Sequence, residues 1–250
     1  KTSKPNIATI IITNPGKDTV SSFQKQGTVE LKAGYKDDIA TILLGDKMSV
    51  SYMEDGGTKQ LTVAVMEGST SYFNLQINKS YALGSTSIDI VNDLVSFIIS
   101  NVPSVQSADP YVIITPRVYV EPQVLFGPAL ELLEKFLSPL GYEFFINNGV
   151  ISILAINGFL RTQQVIVNSK TGMIGSPKPI MTGDGSAKQD ARSGVEVSSI
   201  LNYNFDVGRT MLVSSNDTNG VYVIDSVNFV GNSFEGDWQA NMKAYEIETV

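Results

Sequence analysis

The residues able to do chemistry are few, and their types narrow it at once. The 250-residue chain has no histidine and no cysteine. That removes Ser-His-Asp and Cys-His nucleophilic catalysis, histidine proton shuttles, zinc sites built on imidazole or thiolate, and any disulfide framework. Carboxylates are left. Asp37-Asp38 is an adjacent pair, but neighbours on an extended chain point to opposite faces, so the pair reads as a turn. Glu131 and Glu134 stand three apart on an expected helix, in the manner of a glycosidase pair. An apolar stripe on the same helix places them on its solvated face. Gly183-Asp184-Gly185-Ser186-Ala187-Lys188 suggests a phosphate loop but lacks the four-residue spacer and the Gly-Lys-Ser/Thr ending, so it reads as a loop. Ser214 to Gly220 has the oxygens of a calcium loop without a downstream bidentate Glu, so it reads as a hairpin turn. Trp238 is the only tryptophan. It could stack a sugar, but a single strand tryptophan more often anchors a core or a subunit contact. No residue set asks for a cofactor or a metal.

The elements around these residues are mostly strands. Ile7–Thr13 is a β-branched run stopped by Asn14-Pro15-Gly16. Gly27–Lys36 alternates as a half-buried strand. Strands are also expected at Ile42–Gly45, Met48–Met53, Gln60–Met66 and Tyr72–Ile77. The pattern then changes. The run Ala82-Leu83-Gly84-Ser85-Thr86-Ser87 offers N-cap residues with Asp89 in the first turn, and Val91, Leu94, Val95 and Ile98 fall at helical spacing, which predicts a helix over 87–100. Pro128 at a first helical position predicts a second helix with Leu130, Leu133, Phe136 and Leu137 on its apolar face, closed by Gly141. Asn148-Gly149 between Glu143–Ile146 and Val150–Leu154 predicts a type I′ hairpin. From Gln163 the chain is strand-rich again, with a glycine- and proline-rich loop around 171–193 and an expected turn at Asn219-Gly220. The fold class is therefore mainly β with two helices: a strand-rich module at 1–84 that suits a small barrel or sandwich, a helix-containing α/β region at 85–160, and a second β-module at 161–250.

Composition agrees with ordered domains. Hydrophobic residues are 42% of the chain and charged residues 17%, so polarity at the surface must come from Ser, Thr, Asn, Gln and Gly. A folded chain of this size buries about 70% of its unfolded surface, enough for real cores. The net charge is −7 and Lys and Arg are scattered singly, which disfavours gripping nucleic acid or anionic lipid. No apolar run approaches a membrane span, and no charged and apolar leader pattern opens the chain.

Several short motifs, taken in order, resemble one family. They are Val29–Tyr35 (V-E-L-K-A-G-Y, with Ala33, Gly34 and Tyr35), Met66-Glu67-Gly68, Tyr81 with Gly84-Ser85-Thr86, and the helix beginning at Gly127. Towards the end come Thr171–Pro177 (with Thr171, Gly172, Gly175 and Pro177), Asn219-Gly220 and Gly236-Asp237-Trp238. Over nearly its whole length the chain looks like the baseplate hub proteins of contractile-tailed bacteriophages. The resemblance implies two related β-barrels with an α/β region between them, assembled as a homotrimer. Six similar barrels in a ring would meet the six-fold tail tube protein on one side and the three-fold spike protein on the other, with baseplate wedge proteins around. Phage DNA would pass through the lumen without specific binding. The implied place is the virion tail baseplate, assembled in the host cytoplasm, with no membrane insertion and no enzymatic activity. Longer hubs carry lysozyme or extra domains for which this chain has no room. The rival readings are a tail tube-like or tube-initiator protein, a glycan-binding module resting on Trp238 and Tyr222, and a cell-wall hydrolase using Glu131 and Glu134.

Overall fold

The computed structural model describes residues 5–67, 75–111, 113, 115–181 and 192–247. Its described part is mainly β with three α-helices, as the alternating patterns imply. The chain forms two compact units. One holds Thr2–Leu31 and Thr41–Ile153; the other holds Leu154–Val250 together with Lys32–Ala40.

The first unit contains a four-stranded sheet and an α/β region. The sheet is built from β1 (Ile7–Thr13), β2 (Thr28–Tyr35), β3 (Asp38–Asp55) and β4 (Thr58–Met66), in the order β1-β4-β3-β2. Alternation puts Leu61, Val63 and Val65 of β4 on one face, where with Leu43 they form a small core. The segments Ile42–Gly45 and Met48–Met53 are one strand, not two. A register shift between Lys47 and Ser49 absorbs the break in alternation that the sequence shows at Met48. A helix that the sequence did not announce, α1 (Lys17–Gln24), follows β1. None of its residues is buried, but Phe23 packs on the sheet core. The Lys47 ammonium donates to the carbonyls of Phe23 (3.0 Å) and Lys25, placing a cation at the end of the helix where the dipole is negative. Of the expected strand Tyr72–Ile77, residues 72–74 lie outside the described residues, as does Gly68. The strand that is present, β5, runs Gln76–Tyr81.

In the α/β region, α2 (Ser87–Asn101) starts at Thr86 with a full capping box to Asp89. Ile90, Val91, Leu94 and Ile98 are fully buried along its stripe. A two-residue strand, β6 (Ser107–Ala108), precedes β7 (Gln123–Pro128), which pairs antiparallel with β5. Pro128 caps α3 (Ala129–Leu137) rather than occupying its first turn, so its ring meets no helical carbonyl. A short 3-10 turn follows, and Gly141 ends it at φ 80°. The hairpin β8 (Tyr142–Asn147) and β9 (Val150–Ala155) turns through Asn148 (φ 50°) and Gly149 (φ 79°), the two positive φ values of a type I′ turn. The two helices and strands enclose a core separate from that of the first sheet.

The second unit carries a six-stranded sheet in the order β10-β13-β14-β15-β12-β11. Its strands are β10 (Val165–Asn168), β11 (Met173–Met181), β12 (Ser193–Ile200), β13 (Thr210–Ser214), β14 (Asn219–Gly231) and β15 (Trp238–Glu246). Its core includes Val167, Val197, Phe205, Met211, Ile224 and Met242. Asn219-Gly220 is not the turn. Both residues are already in β14, paired with Ser214 and Val213, and the chain reverses over Ser215–Thr218. Ser215 makes that turn: its hydroxyl accepts from the Thr218 amide at 2.9 Å and donates to the Thr218 carbonyl at 2.9 Å.

Candidate assembly site

The first and last of the short motifs meet. The tip of the β2–β3 hairpin, Lys32–Ala40, belongs to the same compact unit as the six-stranded sheet. Tyr35 stands edge-on to Trp238, ring centroids 6.5 Å apart and planes at 78°. Such a pair adds about 0.5–1.5 kcal/mol beyond the area it buries. Asp38, on the other arm of the tip, accepts a 2.6 Å hydrogen bond from the Tyr203 hydroxyl. That bond, which favours the protonated phenol, raises the Tyr203 pKa.

Gly34 lets this tip close. A Cβ there would lie 2.0 Å from the Asp38 carbonyl oxygen, so only glycine admits the backbone approach. Gly231 does the same for the tryptophan. It lies opposite Trp238 in the β14–β15 register, and a Cβ on it would sit 2.8 Å from the indole Cζ3. Trp238 is thus flanked by the Gly231 backbone and the Tyr35 ring. It is a packing residue of the hairpin junction, and the part of its ring over Gly231 is not offered to a sugar. Its indole N–H has no hydrogen-bond partner among the described residues. Beside it, Gly236 takes φ 98°, and the Asp237 carbonyl accepts from the Asn232 amide at 3.1 Å, closing the loop that leads into β15.

The other singled-out residues serve turns elsewhere. Ala33 is buried in β2. Gly84, at φ 89°, sits in the turn before α2 and donates its amide to the Tyr119 carbonyl at 3.0 Å. Thr171 closes the turn after β10, its hydroxyl donating to the Ile166 carbonyl at 2.8 Å. Gly172 takes φ 98° against Ile200, and its carbonyl accepts from the Ile200 amide and the Ser199 hydroxyl. Gly175 takes φ 69° where β11 shifts register, and Pro177 is buried. Asn219 accepts from the Ser214 hydroxyl, and Gly220 lies under the Tyr222 ring. Gly68 and the Gly183–Lys188 loop lie outside the described residues.

The chemistry candidates stay apart. Glu131 and Glu134 face solvent on α3, opposite its buried stripe. Asp37 lies in the hairpin turn. Among the described residues no group of three or more acidic side chains could hold a metal ion. Lys79, Tyr81 and Asp93 cluster beside an open groove between β5 and α2. Lys79 pairs with Asp93 at 2.6 Å, and the Tyr81 hydroxyl donates to the same carboxylate. Burial alone would raise the Asp93 pKa, but the hydrogen bonds from Lys79 and Tyr81 and the Lys79 charge hold it below the usual range. Burial, then the bond to Asp93, pushes the Tyr81 phenol upward. An ion pair closed on itself positions no nucleophile and no free base. Sequence reasoning missed this cluster, and also the hydrogen bonds of Asp46 and Glu67, because each partner lies far away in the chain.

No family model matches the sequence, and no curated protein matches it. Solved structures do match the fold. An E. coli component of the type VI secretion system, described as structurally similar to the T4 bacteriophage tail proteins gp27 and gp5, superposes at a TM-score of 0.67 with 13% identity. The match covers 98% of this chain and 71% of that one. A tail protein from Neisseria meningitidis MC58 gives 0.65 and 9% identity, over 97% of this chain and 88% of that one. The 43 kDa tail protein of prophage MuSo2 from Shewanella oneidensis gives 0.62 and 9% identity, over 97% and 90%. The chain has the fold of these tail proteins.

Proposed function

We propose that this chain is a structural, non-enzymatic component of a tail or tail-like injection machine, and within it a trimeric baseplate hub. The observation that carries this reading is the likeness of nearly the entire chain to tail and secretion-system proteins of the same fold. In this reading 1–84 and 161–250 are two tube-like β domains around the α/β region at 85–160. Three copies present six such domains to a six-fold tail tube and a three-fold face to the spike, with wedge proteins around and DNA passing through. The place is the tail baseplate, assembled in the host cytoplasm.

Two physical features favour assembly. Among the described residues β1 is an edge strand of its sheet; it reads I-A-T-I-I-I-T without charge or proline, and exposes Ile7 and Ile11 by 63% and 57%. An uncharged, β-branched free edge is a template for strand pairing with another chain. By contrast the edge strand β11 carries Pro177, Lys178 and Pro179 and a register shift, the usual devices that blunt an edge. The negative net charge suits a surface that DNA must pass without binding.

The test is the edge. Ile11→Lys puts a charge on an exposed side chain of β1 and leaves the intramolecular pairing with β4 in place. The purified chain, mixed with its spike protein, is expected to give a three-copy complex by light scattering, and Ile11→Lys to abolish it while leaving the monomer's circular dichroism unchanged. A stable wild-type complex that holds a single copy of this chain, with no self-association, contradicts the reading.

A further inference from the structure

Within the first compact unit, two hydrophobic cores stay separate: that of the four-stranded sheet and that of the α/β region. Something other than a shared core must join them. We propose that Glu67 and Asp46 form a carboxylate clasp that couples the sheet to the α/β region, so that the two open as one body.

Glu67 directly follows β4 and is 1% exposed. A buried carboxylate is costly unless both its oxygens are taken up. Here they are. Oε1 accepts from the backbone amide of Asn148 at 2.7 Å, and Oε2 accepts from the Asn6 side-chain amide at 2.6 Å. The Glu67 amide donates to the Asn6 carbonyl at 2.9 Å, tying the same carboxylate to the residue just before β1. Asn148 is the tip of the β8–β9 hairpin, so this one side chain joins the end of the sheet to the turn of the α/β region.

A second carboxylate repeats the arrangement. Asp46, on β3, accepts from the Thr28 hydroxyl of β2 at 3.1 Å and from the Ser104 hydroxyl at 2.9 Å. Ser104 has no exposed surface and lies just beyond α2. Gly149 closes the circuit. Its carbonyl accepts the Gln106 amide at 2.8 Å, and a Cβ on it would lie 2.8 Å from the Ser104 carbonyl and 2.9 Å from the Leu44 Cδ2 of β3. At φ 79° and with that contact, only glycine fits. Hydrogen bonds to charged acceptors are stronger and more directional than apolar contact, so two of them can fix an orientation that a thin apolar contact would leave loose. Because Asn6 enters β1, the clasp also fixes how the exposed edge strand leaves the α/β region.

Hydrogen exchange followed by mass spectrometry tests this on the full chain. In the wild type, peptides over 7–13 and 58–66 and peptides over 87–101 and 142–155 should share their slowest opening. In Glu67→Ala the sheet peptides should exchange at least about tenfold faster, since a lost charged hydrogen bond is worth roughly that factor or more. Peptides over 87–101 should keep their wild-type rate. Equal acceleration of both sets means simple global destabilisation and overturns the proposal, as does no change in either. Ser104→Ala removes the second point of the clasp with little change of volume and should give the same split at smaller size. If Glu67→Ala does not fold, Ser104→Ala decides alone: a split supports the clasp, and its absence overturns it.

Discussion

Removing the Trp238 side chain should loosen the hairpin tip, which the Tyr203–Asp38 hydrogen bond still holds, and the size of the effect follows from its surroundings. A fully buried tryptophan cut to alanine costs about 3–5 kcal/mol. Trp238 is only half-buried, and Tyr35 is 46% exposed. The expected loss for Trp238→Ala is therefore about 2 kcal/mol, scaled from that range by the partial burial. The ring–ring contribution is separable. In a double-mutant cycle with Tyr35→Leu, measured by urea unfolding, the coupling should be about 0.5–1.5 kcal/mol. Gly231 supplies an independent check. In an otherwise wild-type chain Gly231→Ala should destabilise, because the new methyl meets the indole. In the Trp238→Ala background the clash is gone, and the same change should become neutral or stabilising, since alanine outperforms glycine in a strand by about 0.5–1 kcal/mol. Coupling below about 0.3 kcal/mol, or an equal Gly231→Ala penalty in both backgrounds, would refute the reasoning.

Other consequences are more local. Thr86→Ala removes the capping box of α2 and should cost about 1 kcal/mol in urea unfolding, with Ser at the same position restoring most of it. Gly172→Ala meets both a positive φ and the Ile200 side chain 2.3 Å away, and should lower the melting temperature. Alkali should destabilise the fold. Burial raises the Tyr35, Tyr111, Tyr119, Tyr222 and Tyr245 phenols, and Asp38 raises Tyr203, so the folded state holds these protons longer than the unfolded state does. Their contribution is complete below about pH 10, the unfolded value, and is lost as pH climbs through the folded values. Thermal melts from neutral to strongly alkaline pH check this, and a flat melting temperature across that range contradicts it.

What could be read from the sequence was whatever depends on neighbours in the chain. The α2 stripe and its capping residues, the Asn148-Gly149 turn, the alternation of β2 and the strand at Gln60–Met66 are local patterns, and each is present. What could not be read depends on distant partners. α1 has no buried residue and is held at its end by Lys47 from another strand, so its own sequence carries little helical signal. Gly220 suggested a turn, but it lies within β14, where a Cβ would sit 3.2 Å from the Tyr222 ring. The junction of Tyr35 with Trp238 joins two motifs whose proximity only the fold reveals. The sequence narrowed the chemistry by subtraction: it holds no histidine and no cysteine, and the two glutamates of α3 face solvent.

The central claim concerns copy number, and mass answers it most directly. Native mass spectrometry of the chain bound to its spike protein should show three copies of the 27.1 kDa polypeptide in one complex. Averaged particle images should carry three-fold symmetry, with six similar domains around the axis. A stable complex holding a single copy would contradict the trimeric hub, and a ring of six chains would replace it with a tube-like protein.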